Sequence, residues 1–312
     1  MHISIDQAID KLKAGHVVAM PTETVYGLAA SLNTPAAVAE IFRLKGRPLN
    51  NPLIIHVASQ ADVLKYAQEL PPLFEALTQA FWPGPLTLIV PIQPHLVPAL
   101  ARADLPTAGF RMPNHDLALQ VIREVGPLVM PSANLSGKPS STRAEHVECD
   151  FGPDFPVLDG GACAKGLEST ILYYDSPRWV IVRLGALSAE LFEPVLGYHP
   201  DSVKAFRHAQ PLCPGQLFRH YAPKAKLILG NGMEIEKADF VLGFKERLYP
   251  SSKRVLLMGS LNDPDPVAEN LYQILRQLDQ EDAKVAWVDM DFSREGLWET
   301  IAERLLRAGE GQ

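Results

Sequence analysis

The chain is poor in the features that announce most covalent and metal chemistries. It holds three cysteines, Cys149, Cys163 and Cys213, far apart and odd in number. That spacing fits neither a disulfide framework nor a zinc site, and it points to a reducing compartment. No stretch approaches the ~18 consecutive apolar residues of a membrane span, so no membrane association is expected. The opening Met1-His-Ile-Ser-Ile-Asp6 has neither a basic start nor an apolar signal core, which makes the cytoplasm the expected location. The net charge of −7 argues against a broad basic nucleic-acid surface, so any anion site must be a local basic pocket. There is no GxxxxGK[ST], no HExxH, no GxSxG and no Ser-His-Asp constellation. Gly230-Asn-Gly232 runs on to Ile235 where a dinucleotide fingerprint requires glycine.

What is present is an α/β rhythm in a chain too long for one usual domain. At 312 residues, with 47% apolar and 21% charged, the composition is that of a globular protein with two domains. Ser4 and Gln7 form a capping box for a helix with Ile5, Ala8, Ile9 and Leu12 on one face, stopped by Gly15. A strand over 16–20 runs into a polar turn. A helix over 35–45 follows, with Thr34 as N-cap, Pro35 at the first position and Gly46 just past the end. Strand 53–57, helical stretches 60–69 and 72–81, the break at Trp82-Pro-Gly-Pro85, and strands 86–92 and 109–113 continue the alternation. Next come helix 115–125, buried strand 128–130, a capping box from Thr142 and Glu145, and a hairpin of 170–174 with 179–184. From 198 to 225 the regular pattern lapses among prolines. Beyond it, strands at 227–229, 240–244, 255–258 and 284–288 alternate with two helices, which implies a small parallel α/β domain. The expected organisation is therefore 1–197, a linker over 198–225, and 226–312.

The candidate anion contacts of the first domain are Lys45, Arg47, Arg111, Lys138, Arg143 and Arg183. Lys45 and Arg47 flank the glycine that ends a helix; they either hold a polyphosphate or simply complement the helix C-terminal dipole. Arg111 ends one predicted strand, and Ser132 and Asn134 follow another. Ligands of open α/β sheets bind at the carboxyl ends of strands. Pro131-Ser-Ala-Asn134 is equally a turn by residue type. His56, within Leu-Ile-Ile-His-Val, reads on its own as a satisfied buried histidine. Glu168-Ser-Thr170 is equally a loop with local side-chain bonds.

Taken together, Pro21-Thr-Glu-Thr-Val-Tyr-Gly-Leu28, the Lys45–Arg47 pair, Pro131-Ser-Ala-Asn134 and Gly166-Leu-Glu-Ser-Thr170 resemble the YrdC-domain family. The resemblance covers the first ~190 residues, and the remainder is similar to the extra domain of that family's long form. It implies an open, twisted YrdC-like α/β sheet with a large cleft, plus a small Rossmann-like C-terminal domain. Members of the family make threonylcarbamoyl-AMP from L-threonine, bicarbonate or CO2, and ATP, releasing pyrophosphate, for tRNA modification. By similarity Lys45, Arg47, Asn51, Ser132, Asn134, Thr142 and Arg183 match ATP-pocket positions. Thr24, His56, Thr107, Arg111 and Ser169 match the surroundings of threonine. Lys45 and Arg47 are then the electrostatic catalysts, with no general base and no metal ligand assigned. Mg2+ is the expected companion of ATP. A downstream tRNA threonylcarbamoyl transferase and a weak contact with tRNA are the partners implied.

Two other readings belong to related domains. An RNA-binding module of the same fold predicts a broad basic face, against this acidic chain. The carbamoyl-transfer protein of hydrogenase maturation carries zinc-finger cysteine pairs, and no CxxC occurs here. The segment Pro214-Gly-Gln-Leu-Phe-Arg-His-Tyr-Ala-Pro223 resembles the long form's linker, which places Tyr221 over the nucleotide. Its apolar residues, Phe206, Leu212, Cys213, Leu217, Phe218 and Tyr221, are unlike a passive polar tether. The expectation is a lid that docks on the first domain's cleft.

Overall fold

The computed structural model describes residues 1–202, 212–214, 220–230 and 234–310. Phe206, Leu217 and Phe218 of the linker therefore lie outside the described residues.

Eight strands form the larger sheet: β1 (Val18–Met20), β2 (Gly27–Ser31), β3 (Ile54–His56), β4 (Leu86–Pro91), β5 (Thr107–Arg111), β6 (Leu128–Val129), β7 (Thr170–Asp175) and β8 (Arg178–Arg183). Their spatial order is β1-β2-β6-β3-β5-β4-β7-β8, with β3–β5 and β4–β7 parallel and the other neighbours antiparallel. The first turn-rich stretch hid a strand: β2 pairs antiparallel with β1, and all five of its residues are buried. Gly-Leu-Ala-Ala-Ser gives no alternation to read because both of its faces are covered.

The helix Pro35–Lys45 forms as its spacing predicts, burying Ala37, Val38, Ile41, Phe42 and Lys45 on one stripe. Thr34 occupies the N-cap position without a side-chain hydrogen bond, and Gly46 takes the left-handed conformation at φ 61°. The helical stretch expected over 60–69 stops at Leu64. The expected Thr142–Glu145 capping box does not form. That helix begins at Ala144, and the Thr142 N–H is taken at 3.1 Å by Nδ1 of His146 instead. An imidazole one turn along supplies the acceptor that the sequence pattern assigned to the Glu145 carboxylate.

The smaller sheet comprises β9 (Lys226–Gly230), β10 (Phe240–Phe244), β11 (Arg254–Gly259) and β12 (Val285–Asp289), all parallel, in the order β11-β10-β12-β9. The helices Pro264–Gln280 and Leu297–Gly309 pack on it with Val267, Leu271, Leu275, Ile301 and Leu305 fully buried. Its apolar core extends beyond its own strands. Val25, Leu167 and Tyr221 join it from the preceding chain. Gly166, at φ +67°, lies so close to the helix Pro264–Gln280 that an added Cβ would sit 2.4 Å from the Glu269 Cα. Only glycine permits that approach.

Candidate active site

The pocket of interest is a concave space of roughly 700 Å³, part of it open to solvent, at one end of the larger sheet. Strand register assembles it. His56 and Arg111 stand directly opposite each other at the carboxyl ends of the parallel pair β3 and β5. The β7–β8 hairpin pairs Ile171 with Arg183, which brings the end of β8 beside Ser169. The loop after β6 is tied to the β1–β2 turn, with Ala133 N–H donating to Tyr26 O at 2.7 Å and Tyr26 N–H to Ser141 O at 2.7 Å. Lys45 ends its helix, and the left-handed Gly46 turns the chain so that Arg47 faces the same space.

Nine of the thirteen residues assigned by the resemblance line this pocket: Lys45, Arg47, His56, Arg111, Ser132, Asn134, Ser169, Arg183 and Tyr221. The other four do not. Thr24 is fully buried, its hydroxyl 2.8 Å from that of Thr22. Asn51 is buried behind Arg47, to whose Nε it offers its carbonyl at 3.1 Å. Thr142 is buried against His146. Thr107 begins β5 where Arg111 ends it, and ~3.3 Å per residue separates them by roughly 13 Å. It lines a separate small cavity with Leu212, Cys213 and Pro214.

The cations are held by carbonyls rather than carboxylates. Lys45 Nζ donates to Ser132 O at 2.5 Å and Asn134 O at 2.6 Å. Arg47 donates from Nη2 to Pro52 O at 2.8 Å, and Arg183 from Nη2 to Ser169 O at 2.8 Å and its Oγ at 3.0 Å. None of these three forms an ion pair among the described residues. Arg47 is half-buried, because its guanidinium folds back onto those carbonyls. Burial, reinforced by the Arg183 charge, pulls Arg47 down to about 9. Burial likewise holds the Lys45 ammonium well below its ordinary value, with Arg47 adding to the effect. Arg111 differs: its Nη2 lies 2.7 Å from Oε2 of Glu23. His56 is kept neutral by burial and then by the Arg111 charge, and its Nδ1 has no hydrogen-bond partner among the described residues. A pocket with this balance of charge suits a polyanion at one side and a carboxylate at the other.

Three residues of this site carry no assignment from the sequence. Glu23 lies inside the first motif, yet nothing in the sequence names Arg111 as its partner. His220 lines the pocket from the linker, beside Lys138, a candidate anion contact on the loop after β6. Glu168 sits beside Ser169 and accepts from Ser140 Oγ at 2.6 Å, Tyr272 Oη at 2.8 Å and Arg304 Nε at 3.1 Å. Its partners come from 104 and 136 residues downstream, and no local pattern reports such pairings.

Magnesium finds no seat built by side chains. Among the described residues there is no cluster of three or more His, Cys, Asp or Glu suited to a metal ion. Glu168, the one carboxylate among the described residues that line the pocket, is already committed to its three partners. No helix of the described residues is long and apolar enough to cross a membrane.

Comparisons with known proteins agree with this geometry. The Sua5-YciO-YrdC family model, described as "Telomere recombination", matches residues 10–185. A second model, described as the C-terminal domain of threonylcarbamoyl-AMP synthase, matches residues 187–309. The threonylcarbamoyl-AMP synthase of Bacillus subtilis is 38% identical, over 99% of this chain and 93% of its own length. That of Pyrococcus abyssi is also 38% identical, over 95% and 91% respectively. The crystal structure of Pyrococcus abyssi Sua5 complexed with L-threonine superposes with a TM-score of 0.90 at 34% identity, covering 99% of this chain and 96% of that one. Escherichia coli YciO, at 20% identity and a TM-score of 0.54, shares the fold over 62% of this chain and 97% of its own.

Proposed function

The chain belongs to the Sua5-YciO-YrdC family, and from that membership we infer that it is a nucleotidyltransferase that makes L-threonylcarbamoyladenylate. The substrates are L-threonine, bicarbonate or CO2, and ATP. The products are the adenylate and pyrophosphate, with water as well when bicarbonate is the carbon source. The curated relatives are named as synthases, which disfavours the RNA-binding alternative. We also read the chain as a catalytic domain over 1–197, a linker that acts as a lid over 198–225, and a small domain over 226–312.

The observation that carries the reading is a pocket holding three cations, Lys45, Arg47 and Arg183, none of them ion-paired among the described residues. Keeping such charges buried is unfavourable unless an anion meets them. The nucleotide's phosphates fill that role, with Ser132 and Asn134 on the same wall and Tyr221 above. Magnesium enters with ATP as part of the substrate. Arg111 receives the threonine carboxylate, with Glu23 fixing its guanidinium and neutral His56 and Ser169 beside it.

The threonine amine adds to CO2, forming a C–N bond and releasing a proton. A carbamate oxygen then attacks the α-phosphorus, and the bond to the pyrophosphate oxygen breaks in line. Two anions must approach each other, so the barrier is chiefly electrostatic. Preorganised cations lower such a barrier most where water is excluded. Holding carbamate and nucleotide together contributes the rest; well-oriented pairs gain roughly 7–11 kcal/mol in the best cases. Tyr221, closing the pocket, shields a carbamate that readily decomposes. No covalent enzyme intermediate and no general base is assigned.

The test is direct. Protein incubated with ATP, L-threonine and bicarbonate should yield the threonylcarbamoyl adenylate by mass spectrometry, and stoichiometric pyrophosphate. Failure to form the adenylate from all three substrates refutes the reading. The product is an activated acyl phosphate, fit for a tRNA threonylcarbamoyl transferase in the cytoplasm.

A further inference from the structure

Among the described residues none beyond Tyr221 lines the pocket, yet two side chains from the helices of the smaller sheet reach its supports. Arg304, on the helix Leu297–Gly309, is buried at 1% exposure. Its guanidinium carbon lies 5.0 Å from the centre of the Tyr221 ring. Its Nη2 donates to Leu184 O at 2.6 Å, while Nε reaches Glu168 at 3.1 Å. Tyr272, fully buried on the helix Pro264–Gln280, stacks on Tyr221 with centroids 5.3 Å apart and 24° between planes, and its hydroxyl donates to the same Glu168 oxygen. Tyr221 is thus packed against one ring and one guanidinium, both from the smaller-sheet unit. Its own φ of 63° is unusual for a bulky residue and is sustained by that packing.

Glu168 transmits the same grip to the pocket floor. The next residue, Ser169, accepts three of the four Arg183 bonds, the fourth going to Pro214 O, so the place of Arg183 depends on where Glu168 is anchored. Burial works against a charge on Glu168, but Arg304 and Arg183, with the Ser140 and Tyr272 hydrogen bonds, hold its carboxyl below the ordinary value. The ion is therefore kept, and it gathers its donors around one point.

We propose that Arg304 and Tyr272 are positioning residues for the adenylation site: acting through Glu168 and Tyr221, they set Arg183 and the linker tyrosine in place for the nucleotide. The role of the smaller-sheet unit is then to complete the nucleotide pocket without touching it. This rests on the adenylate-forming function above.

The full-length chain is assayed for adenylate formation, with calorimetric ATP affinity and thermal unfolding measured on the same samples. Arg304→Met keeps the volume and removes the charge. It should raise KM for ATP and weaken ATP binding about tenfold or more, while KM for L-threonine moves less than about threefold. A merely structural role lowers the active fraction, and hence kcat, with both KM values unmoved. Arg304→Lys, which retains a cation over the ring and near Glu168, should recover part of the lost ATP affinity. Tyr272→Phe keeps the stacked ring and serves if Arg304→Met fails to fold; its ATP KM should rise several-fold. Wild-type ATP KM and affinity in the folded Arg304→Met or Tyr272→Phe protein overturns the proposal. A wild-type chain that makes no adenylate refutes the underlying function instead, and if it still binds ATP the variants' calorimetry decides the positioning role.

Discussion

Two groups of buried arginines lie a short distance apart and are treated oppositely. At the pocket, Arg47 and Arg183 donate hydrogen bonds to backbone carbonyls and meet no carboxylate among the described residues. At the contact between the two sheet units, Arg276 and Arg304 are more deeply buried and are met by carboxylates, Arg304 by both Glu168 and Glu303. Arg276 Nη2 lies 2.9 Å from Asp150, and Arg304 Nε lies 3.1 Å from Glu168. The first group is left with charge to share, the second is neutralised. Uncompensated cations store affinity for a ligand at the expense of the resting protein; compensated ones hold parts together. Substitutions should therefore separate stability from binding.

The largest effect is expected at the contact. Arg276 also donates to Pro139 O at 2.6 Å, so it ties both the Asp150 carboxylate and the loop after β6. Arg276→Met removes one of two cations on the buried Asp150 and leaves Lys138 Nζ at 2.9 Å, so the loss should reach at most the about 3–5 kcal/mol of a buried pair broken outright. Urea unfolding should show that loss, and a variant as stable as wild type would erase the distinction.

The contact should also be its acid-labile part. His146 accepts Thr142 N–H at Nδ1 and sits 2.7 Å from Gln273 Oε1 at Nε2, an arrangement that requires neutral imidazole. Burial, with the Arg276 charge beside it, pushes the ring down from 6.5 to about 4. The unfolded chain thus takes up a proton before the folded one does. Stability is full above pH 6.5 and is lost as pH falls toward 4, by about 3 kcal/mol at ~1.4 kcal/mol per unit. His146→Gln should flatten the unfolding free energy over that interval, and an unchanged slope would place the acid sensitivity elsewhere.

At the pocket the signs reverse. Arg47→Met removes charged hydrogen bonds to phosphate, worth about 1.5–3 kcal/mol, and should weaken ATP binding about 10- to 150-fold. Its stability should stay within about 1 kcal/mol of wild type, because losing the bonds to Asn51 and Pro52 carbonyls is offset by relief of a buried, unpaired cation. Calorimetry and urea unfolding on one preparation read both. A large stability loss with intact ATP affinity would move Arg47 into the structural group.

The smallest effect is a titration. Arg47 is held at about 9 in the free protein, and bound phosphate raises that value. ATP affinity should be full below pH 9 and fall above it, by at most tenfold per unit, with proton uptake on binding. Calorimetry in buffers of different ionisation enthalpy between pH 8 and 10 measures both, and Arg47→Met should show less of each.

Much of this was legible along the chain because it is local. The helix ending at Lys45, the glycine that turns Arg47, the β7–β8 hairpin and the parallel smaller sheet each follow from periodicity and turn residues. β2 was not legible, since burial on both faces leaves no alternation, and neither was the imidazole that replaces the Glu145 carboxylate as acceptor of the Thr142 N–H. Nine candidate residues meet in one pocket, whereas Thr107, on the same strand as Arg111, sits at its far end.

Residue type and order by themselves determined which chemistry this protein is equipped for: cations beside helix and strand ends, hydroxyls and amides in turns, no thiol or metal set. Only the tertiary structure decided which cations are free to act. Glu23 meets Arg111, Glu168 meets Arg304 and Asp150 meets Arg276, each across a distance in sequence that no short pattern spans. A buried charge takes its character from the partner that reaches it, and partners are chosen by packing.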